Sequence, residues 1–387
     1  MYSDRITSLS PSMTIAVSTL ARELKAQGRD IISFSAGEPD FDTPQVIKDA
    51  AINAINEGFT KYTSTSGIDP LIEEIIAKLK RDNNLEYEKG EIITNNGAKH
   101  SLFNVFQALI QDGDEVIVPA PYWVTYPELI KYSGGRTVSI DTDESSGFKI
   151  TPSMLATTIT KRTKLLVLTT PSNPTGATYS KDEIEALAEV LKGSDIKIIS
   201  DEIYEKLVYD GEFCSVGSVS SDMLERTITI NGLSKSASMT GWRFGYIASK
   251  DKKLIKLIDS LQSQSTSNIC SITQKAAIAG LNGSADSDIE AMRGEFKKRR
   301  DFAVDAFNSI DKLSVLKPDG AFYLFVNIKE LGLDSMEFSK KLLEEAGVAV
   351  VPGIGFGLEG YFRFSFASSL ENIKNGINRI EDFVSKL

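Results

Sequence analysis

The chain has a single histidine, His100, and only two cysteines, Cys214 and Cys270, in 387 residues. A Ser-His-Asp triad, a Cys-His pair or a histidine-rich metal site would each have to run through that one imidazole. The cysteines show neither metal-binding spacing nor a disulfide framework. Basic charge is in deficit too: 43 Lys and Arg against 53 Asp and Glu give a net charge of −10. That sign argues against nucleic acid or an anionic membrane as a general partner, while leaving room for a local basic pocket. No apolar run approaches the roughly 20 residues a membrane span needs. The N-terminus, Met1-Tyr2-Ser3-Asp4-Arg5-Ile6, lacks the basic-then-apolar order of a secretory signal. The expected compartment is the cytoplasm, and no metal is expected. Proton chemistry in such a chain falls to Lys, Tyr, Asp and Glu.

The length suffices for roughly two to three domains with a large core. Residues 15–27 carry Ile15, Val17, Leu20 and Leu24 on a short amphipathic helix ended by Gly28, and with 31–34 they read as an arm. Thr43-Pro44 opens a helix that Gly58 stops; a polar loop covers 61–67, and 70–83 is helical again. From there strands at 91–94, 115–118, 165–169, 196–199 and 227–230 alternate with helices at 97–109, 126–132 and 180–191. Such alternation predicts a mostly parallel sheet with helices on its faces. After Lys250 come helices at 254–263, 271–281 and 286–310, then strands at 321–328, 348–351 and 361–366 around a helix at 336–346. A helix at 370–384 closes the chain. The expected division is an arm that shares in the small domain (1–45), a large domain (46–283) and a small C-terminal α/β domain (284–387).

Open α/β sheets bind ligands outside the carboxyl ends of their strands, so the residues at those ends carry the functional argument. Asn95-Asn96-Gly97-Ala98-Lys99 leads from a strand into a helix whose N-terminus suits phosphate, although a glycine there is also an ordinary turn. Pro119-Ala120-Pro121-Tyr122-Trp123 places Trp123 to stack on a flat heterocycle or to fill a satellite core. The prolines of Thr170-Pro171-Ser172-Asn173-Pro174-Thr175-Gly176 hold Asn173 in an extended turn, its amide free to bond an oxygen of such a ring. Asp201 ends the next strand, with Tyr204 after it; a buried carboxylate needs a cation or donor, and a protonated pyridine nitrogen is one. Past 227–230 stands Lys235 among small hydroxyl residues such as Ser234, with Arg243 eight residues on. A lysine desolvated there becomes a nucleophile toward a carbonyl, and an arginine fork pairs with phosphate. Ser234-Lys235-Ser236 alone reads as a solvated turn. The five strand ends together hold the groups that bind pyridoxal phosphate, which needs a Schiff-base lysine and an acidic partner for its ring nitrogen.

Ala36-Gly37-Glu38-Pro39-Asp40-Phe41, Pro121-Tyr122-Trp123, Asn173-Pro174-Thr175-Gly176, Asp201-Glu202-Ile203-Tyr204, Ser234-Lys235, Met239-Thr240-Gly241-Trp242-Arg243 and Phe362-Arg363-Phe364-Ser365 occur in that order. With these motifs the chain resembles, over essentially its whole length, the class I aminotransferases of the class I/II pyridoxal phosphate family. The resemblance is strongest to the bacterial aspartate aminotransferases of its Ib branch. It implies fold type I: a large domain with a mostly parallel central sheet and helices on both faces, plus a smaller α/β domain. It also implies transfer of the amino group of L-aspartate to 2-oxoglutarate, in a homodimer with shared active sites. Aromatic or prephenate transamination, and a β-lyase, are the alternatives. A non-catalytic ligand sensor fused to a DNA-binding module is disfavoured by the acidic charge and by the short stretch before Ile31.

By that resemblance Lys235 bears the cofactor as a Schiff base and moves protons. Asp201 keeps the pyridine nitrogen protonated, Asn173 and Tyr204 bond the phenolic oxygen, and Trp123 stacks on the ring. Gly97, Ala98, Ser234 and Arg243 cradle the phosphate beside Lys99, while Tyr62 reaches the neighbouring subunit's phosphate. Arg363 grips the substrate α-carboxylate, aided by the backbone at Gly37; Trp123 and Asn173 also border the substrate. Lys99 either binds the distal carboxylate of acidic substrates or is a plain helix-start lysine. The sequence departs from the family in two places. Gly232 stands where other branches carry a phosphate-binding serine, and Ser10 stands where some prephenate-active relatives carry a lysine. His100 reads as a helix residue beside the site, and 353–357 as a flexible loop.

Overall fold

The computed structural model describes residues 2–387. Its strands are Ile32–Ser33 (β1), Ile92–Asn95 (β2), Glu115–Ala120 (β3), Arg136–Asp141 (β4), Thr163–Thr169 (β5), Lys197–Asp201 (β6), Thr227–Gly232 (β7), Gly245–Ala248 (β8), Tyr323–Asn327 (β9), Val348–Ala349 (β10), Val351–Pro352 (β11) and Tyr361–Ser365 (β12). Seven of them form one sheet in the order β2-β8-β7-β6-β5-β3-β4. Every strand in it runs parallel except β8, which pairs antiparallel with both neighbours.

The near-continuous apolar runs of β3, β5 and β6 follow from burial on both faces. Val116, Val118, Leu165, Val167 and Ile199 point to one face, onto Leu102, Val105 and Phe106 of the helix Ala98–Leu109. Ile117, Leu166, Leu168 and Ile198 point to the other, onto Ile184, Leu187 and Leu191 of the helix Lys181–Leu191. The twofold alternation of a strand thus serves two helical layers at once.

Two strands of this sheet have no counterpart in the sequence reading. β4 is an edge strand with mostly exposed or half-buried positions, so it has no apolar run to announce it. β8 is four residues long and begins at a glycine, and only its pairing with β2 and β7 makes it a strand.

The smaller sheet has the antiparallel order β11-β12-β9, and β1 pairs in parallel with β10. The single strand expected over 348–351 is therefore two short ones, because β1 claims its first half and β12 its second. Alternation along β12 buries Phe362 and Phe364 in the aromatic core beneath the long helix Asp286–Asn308 and turns Arg363 to the opposite side. Among the described residues no helix is long and apolar enough to cross a membrane.

Candidate active site

The carboxyl ends of β3, β5, β6 and β7 and the start of the helix Ala98–Leu109 surround a cavity of about 270 Å³. Every site residue singled out from the sequence lines it, except Gly97 and Tyr62. Gly97 stands just behind the wall. Tyr62 is 91% exposed and lies apart, on the loop before Gly67.

Lys235 follows β7 in a tight loop, and its Nζ donates to the carbonyl of Gly37. Removal from water, reinforced by the nearby Arg363 guanidinium, brings its pKa down to about 8. The loop requires Gly232 at the end of β7, because a Cβ there would lie 2.6 Å from the carbonyl oxygen of Phe244. A serine at this position has no room, which accounts for the departure seen in the sequence.

Asp201 ends β6 with its carboxyl fully enclosed, and burial pushes its pKa upward. Tyr126 opposes that shift: its hydroxyl donates to Asp201 Oδ2 at 2.7 Å and lies 2.7 Å from Thr169 Oγ1. Burial raises the Tyr126 pKa well above the ordinary phenol, so it stays a donor at all working pH values. Tyr126 was not legible as a site residue from the sequence. The available signal was its place one helical turn past Trp123, whose ring it meets edge-on at 5.5 Å. A Tyr126→Phe variant removes the donor from a charged acceptor, a contribution of about 1.5–3 kcal/mol. We expect the dissociation constant for pyridoxal phosphate to rise at least about tenfold, measured by quenching of tryptophan fluorescence. Unchanged affinity would mean that this bond does not set the state of Asp201.

Tyr204 donates to or accepts from Tyr323 across 2.8 Å, and burial raises the pKa of both phenols. Tyr323 belongs to β9 and was not legible as a site residue; an aromatic in a buried strand is ordinary core. Above it lies the guanidinium of Arg363, 4.4 Å from the Tyr323 ring centre and 5.1 Å from that of Phe356. Phe356 closes a 3₁₀ turn over Gly353–Phe356, where the sequence suggested a loose loop. Arg363 donates to Asn173 Oδ1 at 3.0 Å and to the Ser35 carbonyl at 2.7 Å. Its Nε is buried without a partner, and among the described residues no carboxylate pairs with it.

By occupying Oδ1, Arg363 leaves the Asn173 amide nitrogen to donate into the cavity. Asn173 sits in a closed turn, bounded by the Ser172 N–H to Ala177 O bond at 2.9 Å, and not in the extended one expected from its prolines. The turn is held from outside, since Gly320 N–H donates to the Gly176 carbonyl.

At the opposite wall the first turn of the helix Ala98–Leu109 leaves the N–H groups of Ala98 and Lys99 without intrahelical partners. Arg243 adopts a left-handed backbone (φ 58°), and its fork presses against Gly97, where a Cβ would come within 2.5 Å of Nη2. Lys99 Nζ lies 5.0 Å from the Trp123 ring centre, and burial lowers its pKa, helped by Arg243. His100 accepts the Asn96 N–H at Nδ1 across 3.2 Å, so the one imidazole caps its own helix.

These residues fit pyridoxal phosphate. The helix start with Arg243 suits the phosphate, the buried Asp201 carboxylate suits a protonated ring nitrogen, and Lys235 suits the aldehyde. A profile of the family described as aminotransferase class I and II matches residues 29–380. The chain belongs to this family. It is 48% identical over 388 aligned positions to the aspartate aminotransferase of Bacillus subtilis (strain 168), covering 99% of this chain and 98% of that one. The probable aspartate/prephenate aminotransferase of Rickettsia felis is 46% identical, with 98% and 96% covered. Among solved structures, the aspartate aminotransferase from Thermus thermophilus with maleate gives a TM-score of 0.95 at 41% identity, covering 99% of each chain. That from Rhizobium meliloti gives 0.96 at 40% identity, covering 100% of this chain and 99% of that one.

Proposed function

We propose that this enzyme moves the amino group of L-aspartate to 2-oxoglutarate with pyridoxal phosphate bound at Lys235. The observation that carries the reading is the buried Arg363 fork, which meets no carboxylate among the described residues, in one cavity with an amine whose pKa lies near 8. A buried arginine without an anion is unfavourable, and a substrate α-carboxylate supplies the missing charge in bidentate geometry.

The cofactor, when bound, supplies an electron sink for the carbanion formed at the substrate Cα. The chain's own groups do the rest. Ala98, Ser234 and Arg243 would hold the phosphate end, with Gly97 allowing the close approach. Trp123 would cover the ring, and the Asn173 amide and Tyr204 hydroxyl would serve its phenolic oxygen. Asp201, raised in pKa because burial outweighs the Tyr126 bond and the Lys235 charge, would be the partner of a protonated ring nitrogen. Lys235 Nζ, neutral in good part near pH 8, would take the proton from the substrate Cα and pass it to the cofactor carbon that carries the transferred nitrogen. Gly37 borders the carboxylate site. Tyr62, exposed on its loop, is proposed to serve the phosphate of a second copy in a homodimer.

Lys99 is the proposed partner of the distal carboxylate. It is unpaired with any acid among the described residues and stands exposed at the cavity, its Nζ 5.0 Å from the Trp123 ring centre. In a Lys99→Gln variant, KM for aspartate and for 2-oxoglutarate should rise about tenfold or more, with kcat changed far less. An equal loss in kcat would place Lys99 in the chemistry instead. The overall reading is tested by mixing the loaded enzyme with aspartate alone. Conversion of the cofactor to its amine form, followed spectrally and reversed by 2-oxoglutarate, is the expected result. Release of pyruvate or ammonia would mark a lyase. Prephenate is not proposed as a substrate, since the position of the lysine in prephenate-active relatives is the exposed Ser10, whose N–H donates to Glu128 at 2.8 Å.

A further inference from the structure

The approach to the site has a charge opposite to that of the whole chain. A groove of about 980 Å³ runs from the surface to Lys235, and it shares Thr14, Gly37, Lys235 and Thr240 with the site cavity. One wall is a face of the helix Met13–Ala26, where Ser18, Arg22 and Lys25 follow Thr14 at helical spacing. Arg29 and Arg379 add two more cations, against two carboxylates, Asp30 and Glu38.

Most of these charges are already engaged. Arg379 takes Asp30, Arg29 donates to the Glu344 carbonyl at 2.7 Å, and Glu38 accepts from Thr240 at 2.9 Å. Arg22 and Lys25 are different. Both are exposed, neither pairs with a carboxylate among the described residues, and Arg22 reaches only the Thr19 hydroxyl at 3.3 Å. Arg22 and Lys25 thus present free positive charge along the groove of a chain whose net charge is −10. An acidic protein repels anions at range, whereas a cleft of the opposite sign focuses field lines and raises the local concentration of anionic substrate.

We infer that this groove collects anions for the site, with Arg22 and Lys25 as steering residues that favour doubly charged keto acids over amino acids of single net charge. The inference rests on the functional reading above, which supplies the two substrates it discriminates. Steering needs no contact with the reacting atoms, and its energy is linear in substrate charge. The 2-oxoglutarate dianion therefore feels twice the effect that aspartate feels. A helix face that is merely solvated would show no such proportion.

The test is the double charge reversal Arg22→Glu with Lys25→Glu, assayed with the cofactor-loaded enzyme in each half-reaction. At low ionic strength kcat/KM for 2-oxoglutarate should fall about tenfold and that for aspartate about threefold. Both losses should shrink as salt shortens the Debye length to about 8 Å. Neither residue lines the site cavity, so kcat should stay at its original value. Equal losses for the two substrates, losses that persist at high salt, or no loss at all overturn the inference while leaving the transaminase reading intact. Failure of the unaltered enzyme to transaminate aspartate overturns both.

Discussion

A Lys235→Met variant should fold, turn over no aspartate and, without cofactor, resist urea better than the original chain at neutral pH. The reason lies in where the amine is held. Its pKa falls to about 8 in the folded chain, from an ordinary value of 10.5, chiefly because the cavity walls take it out of water. Below about 8 folded and unfolded chains both carry the proton, and the full penalty of a desolvated ammonium weighs on the folded state. Between about 8 and 10.5 the unfolded chain binds the proton that the folded chain has lost, so the stability of the original rises with pH through that window. Methionine is an unbranched side chain one heavy atom shorter, and it carries no charge. Its advantage should be on the order of 2 kcal/mol below pH 8 and should fade as pH climbs through the window. Urea midpoints of the two cofactor-free proteins at neutral and at high pH give the comparison. An advantage independent of pH would refute the desolvation account, and retained turnover would refute the role of Lys235 in the reaction. Borohydride should fix the cofactor covalently to the original chain and leave it removable from the variant.

Arg363→Met should separate stability from activity even more sharply. Arg363 is 1% exposed, donates to Asn173 and to the Ser35 carbonyl, and faces no acid among the described residues. Replacing buried ionic groups by apolar ones of similar volume is often neutral or stabilising. The two acceptors left behind each lose a donor, which offsets part of the gain. A cofactor-free variant at least as stable as the original is therefore expected. Activity moves the other way. Losing one partner of a buried charge pair costs about 2–5 kcal/mol, so kcat/KM for aspartate should fall about 30- to 5,000-fold. A second effect ties the two residues together. Arg363 is one of the charges holding the Lys235 pKa down, so its removal should shift the onset of Lys235 reactivity toward aldehydes to higher pH. A variant with near-normal kcat/KM, or with an unmoved Lys235 profile, would contradict the arrangement described here.

Much of the site could be read from the chain because sheet-end chemistry is local. Each strand of the 163–232 region is a short apolar run, and the residue that matters follows within a few positions: Asn173 after β5, Asp201 at the end of β6, Lys235 after β7. A buried run announces the strand, its end points toward the ligand, and the side chain types then name the chemistry. Sequence pattern is silent where structure depends on a distant partner. β4 and β8 have too little apolar pattern to be seen alone. The run at 348–351 is a strand twice over because two different neighbours claim it. The closed turn at Asn173 is stitched to Gly320, far along the chain.

The sequence by itself determined the order of the elements with a clear apolar pattern, the residue types at their ends and the family to which the chain is related. These depend on periodicity, on turn residues and on spacing along the backbone. Only the tertiary structure decided that Tyr126 answers Asp201, that Tyr323 lies between Tyr204 and Arg363, and that Arg363 sets the orientation of the Asn173 amide. It also decided that Arg22 and Lys25 share a groove with Lys235. Hydrogen bonds and Coulomb forces act over ångströms of space and not over positions in sequence. The bonds of Arg363 join residues 190 and 328 positions away, and nothing short of the folded chain brings such groups together.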